Sequence, residues 1–226
     1  MSRLCEGRVA IVTGAGRGVG REHALLLAAH GAKVVVNDIG AGVDGSGKDD
    51  SPASEVDAAI KKAGGEAITN GEDVSSWKGA KAMVDAAIAH FGKLDILINN
   101  AGILRDKSFT NMEEADWDSV MAVHVKGAYF CSRAAWPHMR EKKWGRIVMT
   151  ASASGIYGNF GQTNYSAAKN ALIGFGQTLA LEGEKYNVRT NVIAPVAVSR
   201  MTESLMPAFV HDFIKPEYVS PLVVYL

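Results

Sequence analysis

Short apolar runs rich in β-branched residues alternate along the chain with longer segments of helical periodicity. The apolar runs predict six strands, some of which continue into the following loop, within residues 8–14, 33–38, 66–74, 93–102, 144–154 and 187–195. The periodic segments predict helices at 20–31, 52–65, 76–92, 113–141 and 164–186. Because strands and helices alternate and the strands are apolar throughout, the pattern indicates the α/β class: a single doubly wound parallel sheet with helices on both faces.

No internal repeat and no interdomain linker interrupts this alternation, so we expect residues 1–226 to form a single domain. One segment, 39–54, follows the second strand and is rich in glycine, serine and aspartate. This composition predicts a flexible surface loop.

Composition narrows the classes of function. The 226 residues are 47% hydrophobic and 21% charged, which is ordinary for a soluble globular protein, and 24 basic residues balance 24 acidic ones. Without a net positive charge we expect neither a nucleic acid nor a membrane as a partner. Cys5 and Cys131 have no metal-ligand or CxxC spacing, so we expect no metal site and a reducing compartment. No apolar run approaches the ~20 residues of a membrane span, and we expect a cytoplasmic location.

A glycine-rich turn, "VTGAGRGVG", lies between the first strand and the first helix. Its glycines stand at positions 14, 16, 18 and 20, and Val19 occupies the last position of a G-x-G-x-x-G pattern counted from Gly14. The turn still offers close backbone approach and free N–H groups at a helix N-terminus, as a pyrophosphate requires. It lacks the GK[ST] ending of mononucleotide-binding ATPases, which excludes that class.

Two charged residues near this turn favour different dinucleotides. Asp38 ends the second strand and can accept hydrogen bonds from the ribose hydroxyls of NAD while repelling a 2′-phosphate. Arg17, inside the glycine turn, could instead attract the 2′-phosphate of NADP. We give Asp38 the greater weight and predict NAD.

The segment "TNYSAAKNAL" carries the candidate chemistry. Tyr165 and Lys169 are four residues apart and share one helix face, a spacing that chance alone also produces. The fifth strand ends just before Ser152 and Ser154, at the sheet edge where the helix of Tyr165 begins. A neighbouring ammonium would lower the tyrosine pKa from about 10 and make Tyr165 a proton acceptor for an alcohol.

These motifs together resemble the short-chain dehydrogenase/reductase family over essentially the whole chain. "TGAGRGVG" is similar to the family's TGxxxGxG motif, "NNAG" (99–102) to the motif after its fourth strand, and "YSAAK" (165–169) to its YxxxK. Ser152 stands 13 residues before Tyr165, at the spacing of the family's serine. The resemblance implies a Rossmann-like fold and an NAD-dependent oxidoreductase.

The resemblance also implies the roles of individual residues. Tyr165 would be the acid/base, Lys169 would bind the nicotinamide ribose and lower the tyrosine pKa, and Ser152 would orient the substrate oxygen. Asp73 and Val74 would line the adenine, and Asn100 would contact the cofactor. The predicted cofactor-binding residues are Gly14, Arg17, Gly18, Gly20, Asp38, Asp73, Val74, Asn100, Tyr165 and Lys169.

A narrower resemblance links "NNAGILRDKSF", "GIYGNFGQTNYSAAK" and "SRMT" to the (3R)-hydroxyacyl-CoA dehydrogenase part of peroxisomal multifunctional enzymes and to their bacterial stand-alone relatives. It implies oxidation of a 3-hydroxyacyl-CoA. Two alternatives stay open: a dehydrogenase of steroids or other free secondary alcohols, and a dinucleotide-binding sensor without catalysis. The resemblance also implies a homodimer or homotetramer formed through helices 113–141 and 164–186.

Some positions depart from the family pattern. His124 stands where the family often has an asparagine that holds a proton-relay water, so it is either a packed histidine or a substitute member of that relay. Pro195-Val196 replaces the usual Pro-Gly, which reduces backbone freedom. The family normally continues into a seventh strand, and this sequence ends within "PLVVYL". Segment 201–219 is expected to be either an apolar substrate lid, at about 199–216, or an amphipathic helix packed on the core.

Overall fold

In the part of the chain that the structure describes, residues 3–198 and 207–226 of a computed structural model, six parallel strands form one sheet. The strands are β1 (Val9–Thr13), β2 (Lys33–Asn37), β3 (Glu66–Asn70), β4 (Ile96–Asn99), β5 (Gly145–Thr150) and β6 (Val188–Ile193). Their order is β3-β2-β1-β4-β5-β6, and every neighbouring pair is parallel. The fold class predicted from the apolar pattern is therefore confirmed.

Helices cover both faces of this sheet. They are α1 (Gly18–Ala29), α2 (Ser51–Lys62), α3 (Trp77–Phe91), α4 (Glu114–Met121), α5 (Gly127–Glu141), α6 (Ala153–Tyr157), α7 (Thr163–Gly183) and α8 (Ser220–Tyr225). Buried residues of α1, α2 and α8 pack on one face, and those of α3, α5 and α7 pack on the other. None of the described helices is long and apolar enough to cross a bilayer.

The strand order places a crevice at one edge of the sheet. The chain runs outward from β1 to β3 on one side and from β4 to β6 on the other, so the order reverses between β1 and β4. In open α/β sheets the loops that leave the two central strands diverge at this point and leave room for a ligand. The glycine turn follows β1 and "NNAG" follows β4, which brings both motifs to the crevice.

Two predicted elements differ from the structure. The helix predicted at 113–141 is divided by a π-helical turn, Ala122–Lys126, between α4 and α5. The segment predicted as a loop at 39–54 is a loop up to Asp50, and α2 begins at Ser51. Its first part lines the crevice. Leu104 N donates to Val43 O at 2.8 Å, and Asp49 N donates to Ile39 O at 3.2 Å. The loop is therefore closed on itself and hydrogen-bonded to the segment after β4.

The predicted substrate lid falls partly outside the described residues, which omit 199–206. Residues 207–219 contain two 3₁₀ turns, Ala208–Val210 and Pro216–Tyr218, and Val198 N donates to Ile214 O at 2.8 Å. Phe209 and Phe213 are each 77% exposed. The described part of the segment is therefore not an amphipathic helix with its apolar face packed on the core.

Candidate active site

The glycine turn approaches its neighbours too closely for a side chain. A Cβ at Gly20 would lie 2.2 Å from Gly14 O, and one at Gly16 would lie 2.8 Å from Asp38 Oδ2. Gly14 and Gly18 have φ values of +64° and +55°, which favour glycine. Among the described residues no side chain caps the N-terminus of α1, and its first turn contains no acidic residue. The turn therefore presents backbone N–H groups and a helix N-terminus to an anion, as predicted.

Asn100 supports this turn from the loop after β4. Its side-chain nitrogen donates to Thr13 O at 3.0 Å and Gly14 O at 3.2 Å, and its backbone N–H donates to Thr13 Oγ1 at 3.0 Å. The amide thus ties the loops after β1 and β4 together. Asn100 also lines the crevice, where the resemblance implies a cofactor contact.

Asp38 lies directly after β2 and contacts the glycine turn from that side. Its Oδ2 accepts from Gly16 N and its Oδ1 from Gly40 N, both at 2.7 Å. Two backbone N–H groups therefore hold the carboxylate at the end of β2, at the wall of the crevice. Asp73 and Val74 line the same wall after β3; the former is exposed and the latter buried, which suits the edge and the floor of an adenine site.

Ser152, Tyr165 and Lys169 line the same cavity as the glycine turn, and its volume is about 890 Å³. Lys169 is only 4% exposed; its Nζ donates to Thr150 O at 2.5 Å and lies 5.5 Å from the centre of the Tyr165 ring. Ser152 Oγ accepts from Ser154 N at 3.2 Å. The structure thus brings together the three residues that the sequence selected for catalysis.

Burial shifts the pKa values of this pair in directions the sequence did not predict. Burial raises the pKa of Tyr165, the Ser152 hydroxyl acts in the opposite direction, and Asp106 raises it further. Burial also lowers the pKa of Lys169 to about 7. The expected lowering of the tyrosine pKa by an ammonium is therefore not found in this structure, because the interior disfavours the charged form of both groups.

His124 contacts Tyr165 from the π-helical turn. The two rings meet edge to face, with centroids 5.3 Å apart and planes at 88°. His124 Nε2 accepts from Ile103 N at 3.0 Å and lies 2.9 Å from Ile103 O, while Nδ1 has no partner in the described part of the chain. Burial, and then the charge of Lys169, lower the pKa of His124 to about 3, so the ring is neutral at ordinary pH.

One supporting residue was missed from the sequence. Asn164, fully buried at the start of α7, donates to Arg105 O and Asp116 O, each at 3.1 Å, and accepts from Tyr165 N at 2.7 Å. It fixes the first turn of α7 and therefore the position of Tyr165. An asparagine at the predicted start of a helix was the available signal, because this residue type favours helix N-termini.

The residues of the crevice fit a dinucleotide. The glycine turn leaves space that any Cβ would fill, the N-terminus of α1 is open to an anion, and Asp38 stands at the strand end where ribose hydroxyls are bound. A buried tyrosine and lysine lie further along the same cavity. This arrangement is that of a dinucleotide-dependent oxidoreductase.

Comparison with known proteins supports this class. The family model for short chain dehydrogenases matches residues 8–209, and the chain belongs to that family. The Neurospora crassa protein named peroxisomal hydratase-dehydrogenase-epimerase is 53% identical over 98% of this chain and 24% of its own length. A short-chain type dehydrogenase/reductase of Mycobacterium tuberculosis is 49% identical over 98% of this chain and 77% of that protein. Both resemblances noted in the sequence are thereby confirmed.

A solved structure agrees in fold. A short chain dehydrogenase from Mycobacterium avium is 46% identical, covers 99% of this chain and 78% of its own, and superposes with a TM-score of 0.87. The chain spans less than half the length of the multifunctional relatives it matches. Several relatives carry peroxisomal names, so the expected cytoplasmic location stays a prediction.

Proposed function

We propose that this short-chain dehydrogenase oxidises a 3-hydroxyacyl-CoA to the 3-ketoacyl-CoA with NAD. The observation that carries the proposal is the convergence of Ser152, Tyr165 and Lys169 in one cavity with the glycine turn and Asp38. A bound nicotinamide would supply the hydride acceptor. The chain's own residues would supply the proton acceptor and the group that binds the substrate oxygen.

Each catalytic residue has one task in this proposal. Tyr165 takes the hydroxyl proton of the substrate, and the Ser152 hydroxyl holds the same oxygen in place. Lys169, oriented by Thr150 O, binds the ribose hydroxyls and stabilises the phenolate of Tyr165. The buried surroundings exclude water and strengthen these interactions.

Two observations favour an acyl-CoA substrate. Hydratase and dehydrogenase appear together in the name of the Neurospora relative, and hydration of a double bond yields an alcohol of the kind a dehydrogenase oxidises. Tyr157 and Phe160, in the segment after Ser152, are 85% and 92% exposed, and Lys107 N ties the neighbouring loop to Gly161 O at 2.9 Å. These aromatic rings offer apolar surface for an acyl chain.

We propose that two copies associate through α5 and α7, as the family resemblance implies. Leu181 on α7 is 76% exposed and Tyr129 on α5 is 41% exposed, and Trp136, Arg140 and Tyr186 line an open groove beside Leu181. These exposed apolar side chains favour contact with a second subunit, and the groove beside them also carries the charged residues Arg140, Glu182, Glu184 and Lys185.

The proposal is tested by following NADH formation with the purified protein. The panel contains (3R)- and (3S)-hydroxyacyl-CoA esters and free steroid alcohols, each with NAD and with NADP. We expect turnover of the (3R)-acyl-CoA with NAD. Turnover of free alcohols alone would favour the second candidate, a dehydrogenase of steroids or similar alcohols, and binding of NAD without any turnover would favour a sensor.

Asp38→Ala should weaken NAD binding by about tenfold to a hundredfold, because a carboxylate no longer accepts from the ribose hydroxyls. NADP binding should change much less, because its 2′-phosphate was repelled by the same carboxylate. Titration calorimetry with both dinucleotides measures the two effects, with Asp57→Ala on α2 as a matched control. Equal loss of both affinities would instead assign Asp38 only to holding Gly16 and Gly40.

His124→Ala should lower kcat by about tenfold to a hundredfold with little change in NAD affinity. The substitution removes the hydrogen bond with Ile103 and the ring contact that holds Tyr165 in position. His124→Gln, which retains a hydrogen-bonding group, should recover part of the loss. The pH profile of kcat separates the two interpretations of this residue. Unchanged turnover of His124→Ala at every pH would show that the histidine only fills space.

A further inference from the structure

Besides Asp38, a second carboxylate lies near the glycine turn, where it pairs with Arg17. Asp49 Oδ2, from the loop that precedes α2, lies 3.7 Å from Arg17 Nη2. Arg17 lines the cavity, and its chain neighbour Gly16 is hydrogen-bonded to Asp38 Oδ2. Arg17 is therefore paired with Asp49, and the residue before it, Gly16, is hydrogen-bonded to Asp38.

Asp49 is held in place for this pairing. Its Oδ1 accepts from Ser51 N at 2.9 Å and from Ser51 Oγ at 2.5 Å, which leaves Oδ2 for the guanidinium. Its backbone N–H donates to Ile39 O, and a Cβ at Gly40 would lie 1.7 Å from Asp49 O. The bonds from Ser51, and to a smaller extent the charge of Arg17, lower the pKa of Asp49, so it is ionised at neutral pH.

The pairing bears on the choice between NAD and NADP. In dinucleotide sites an acid at the end of the second strand binds the ribose 2′-hydroxyl, whereas a nearby arginine accommodates a 2′-phosphate. This chain has both, at Asp38 and Arg17. Adding Asp49 changes the formal charge of the group from zero to minus one, because the turn and its neighbours then carry one guanidinium, that of Arg17, and two carboxylates, those of Asp38 and Asp49.

We propose that Asp49 is a specificity-determining residue, which disfavours NADP by neutralising Arg17. The inference rests on the proposed dinucleotide site and extends it to a residue in the loop 39–49. It also explains how an arginine in the glycine turn is compatible with use of NAD. The effect should be modest, since the pair is partly exposed and salt screens it.

Asp49→Asn provides the test, because the amide oxygen can still accept from Ser51. We expect NADP to bind about fivefold to tenfold more tightly at low ionic strength, while NAD affinity stays within about twofold. The gain in NADP affinity should shrink in high salt, and it should vanish in the double variant that also carries Arg17→Met. The probes are NAD, NADP and 2′,5′-ADP in titration calorimetry, and Asp57→Asn, which removes a carboxylate paired with Lys61, is the matched control.

The outcomes separate this inference from the proposed function. NAD binding by the wild-type protein with an unchanged NADP preference in Asp49→Asn would overturn the inference alone. A gain that survives Arg17→Met would also overturn it, because the carboxylate would then act directly rather than through the guanidinium. Failure of the wild-type protein to bind either dinucleotide would overturn the proposed function and the inference together.

Discussion

Replacing Tyr165 by phenylalanine is expected to lower kcat by at least about a thousandfold while NAD affinity stays within about twofold. Phenylalanine keeps the ring that packs edge to face against His124, so the helix and the cavity should persist. It removes only the oxygen that accepts the substrate proton. The loss should therefore appear in the chemical step and leave ground-state binding unchanged.

The measurement is kcat for the best alcohol substrate, together with NAD binding by calorimetry. Tyr225→Phe on α8 is the matched control, because this tyrosine is 81% exposed and lies outside the cavity lining. Substantial turnover by the Tyr165→Phe variant would show that another group accepts the proton. Equal loss of NAD binding would instead assign the hydroxyl to the cofactor site.

The sheet was predictable because its information is local. The central strands β1, β2, β4 and β5 are short, largely apolar runs, as a parallel sheet buried on both faces requires, whereas the edge strands β3 and β6 are only partly buried. β5, for example, has five of its six residues buried between helices of both layers. The crossover helices were predictable from the helical periodicity and the length of the segments between the strands. The fold class was therefore predicted correctly, and the strand boundaries to within a few residues.

Features set by distant contacts were not predictable in this way. The loop 39–49 has the composition of a mobile segment, yet Val43 accepts a hydrogen bond from Leu104, some sixty residues away. The π-helical turn between α4 and α5 places His124 against Ile103, and the uninterrupted helical periodicity of 113–141 gives no sign of it. In both cases the loop after β4 supplies the partner.

The same distinction between local and distant information applies to the candidate site. Spacing placed Tyr165 and Lys169 on one helix face and Ser152 and Ser154 at the same sheet edge. The family resemblance then assigned the catalytic roles to Ser152, Tyr165 and Lys169. The direction of the pKa shifts depends on how deeply the pair is buried, which a sequence does not state. The role of Asp49 likewise depends on how a loop folds back toward Arg17.

Burial of Tyr165 and Lys169 makes their charges interdependent. Burial lowers the pKa of Lys169 to about 7 and raises the pKa of Tyr165, so the interior disfavours both the ammonium and the phenolate. Because Lys169 Nζ lies 5.5 Å from the centre of the Tyr165 ring, we expect each charge to favour the other, so that the two groups titrate as a pair. Phenolate formation should therefore draw a proton onto Lys169, and loss of the lysine should affect the tyrosine directly.

Lys169→Met should accordingly lower kcat/KM for alcohol oxidation by about a thousandfold near neutral pH. Without the cation the pKa of Tyr165 rises further, and each unit of increase lowers the phenolate fraction about tenfold. The deficit should shrink only as pH reaches the raised pKa of Tyr165, where the wild-type phenolate fraction levels off, and the loss of ribose binding then remains. The measurement is kcat/KM across pH, with exposed Lys78→Met on α3 as control.

The pH dependence separates the electrostatic role of Lys169 from its positioning role. In ketone reduction Tyr165 donates a proton, and at pH 7 the tyrosine is protonated with or without the cation, because burial already raises its pKa. Oxidation and reduction share one transition state, so kcat/KM for reduction should fall together with kcat/KM for oxidation at a given pH. A deficit that is constant with pH would contradict electrostatic coupling, and would leave Lys169 only the task of positioning the ribose.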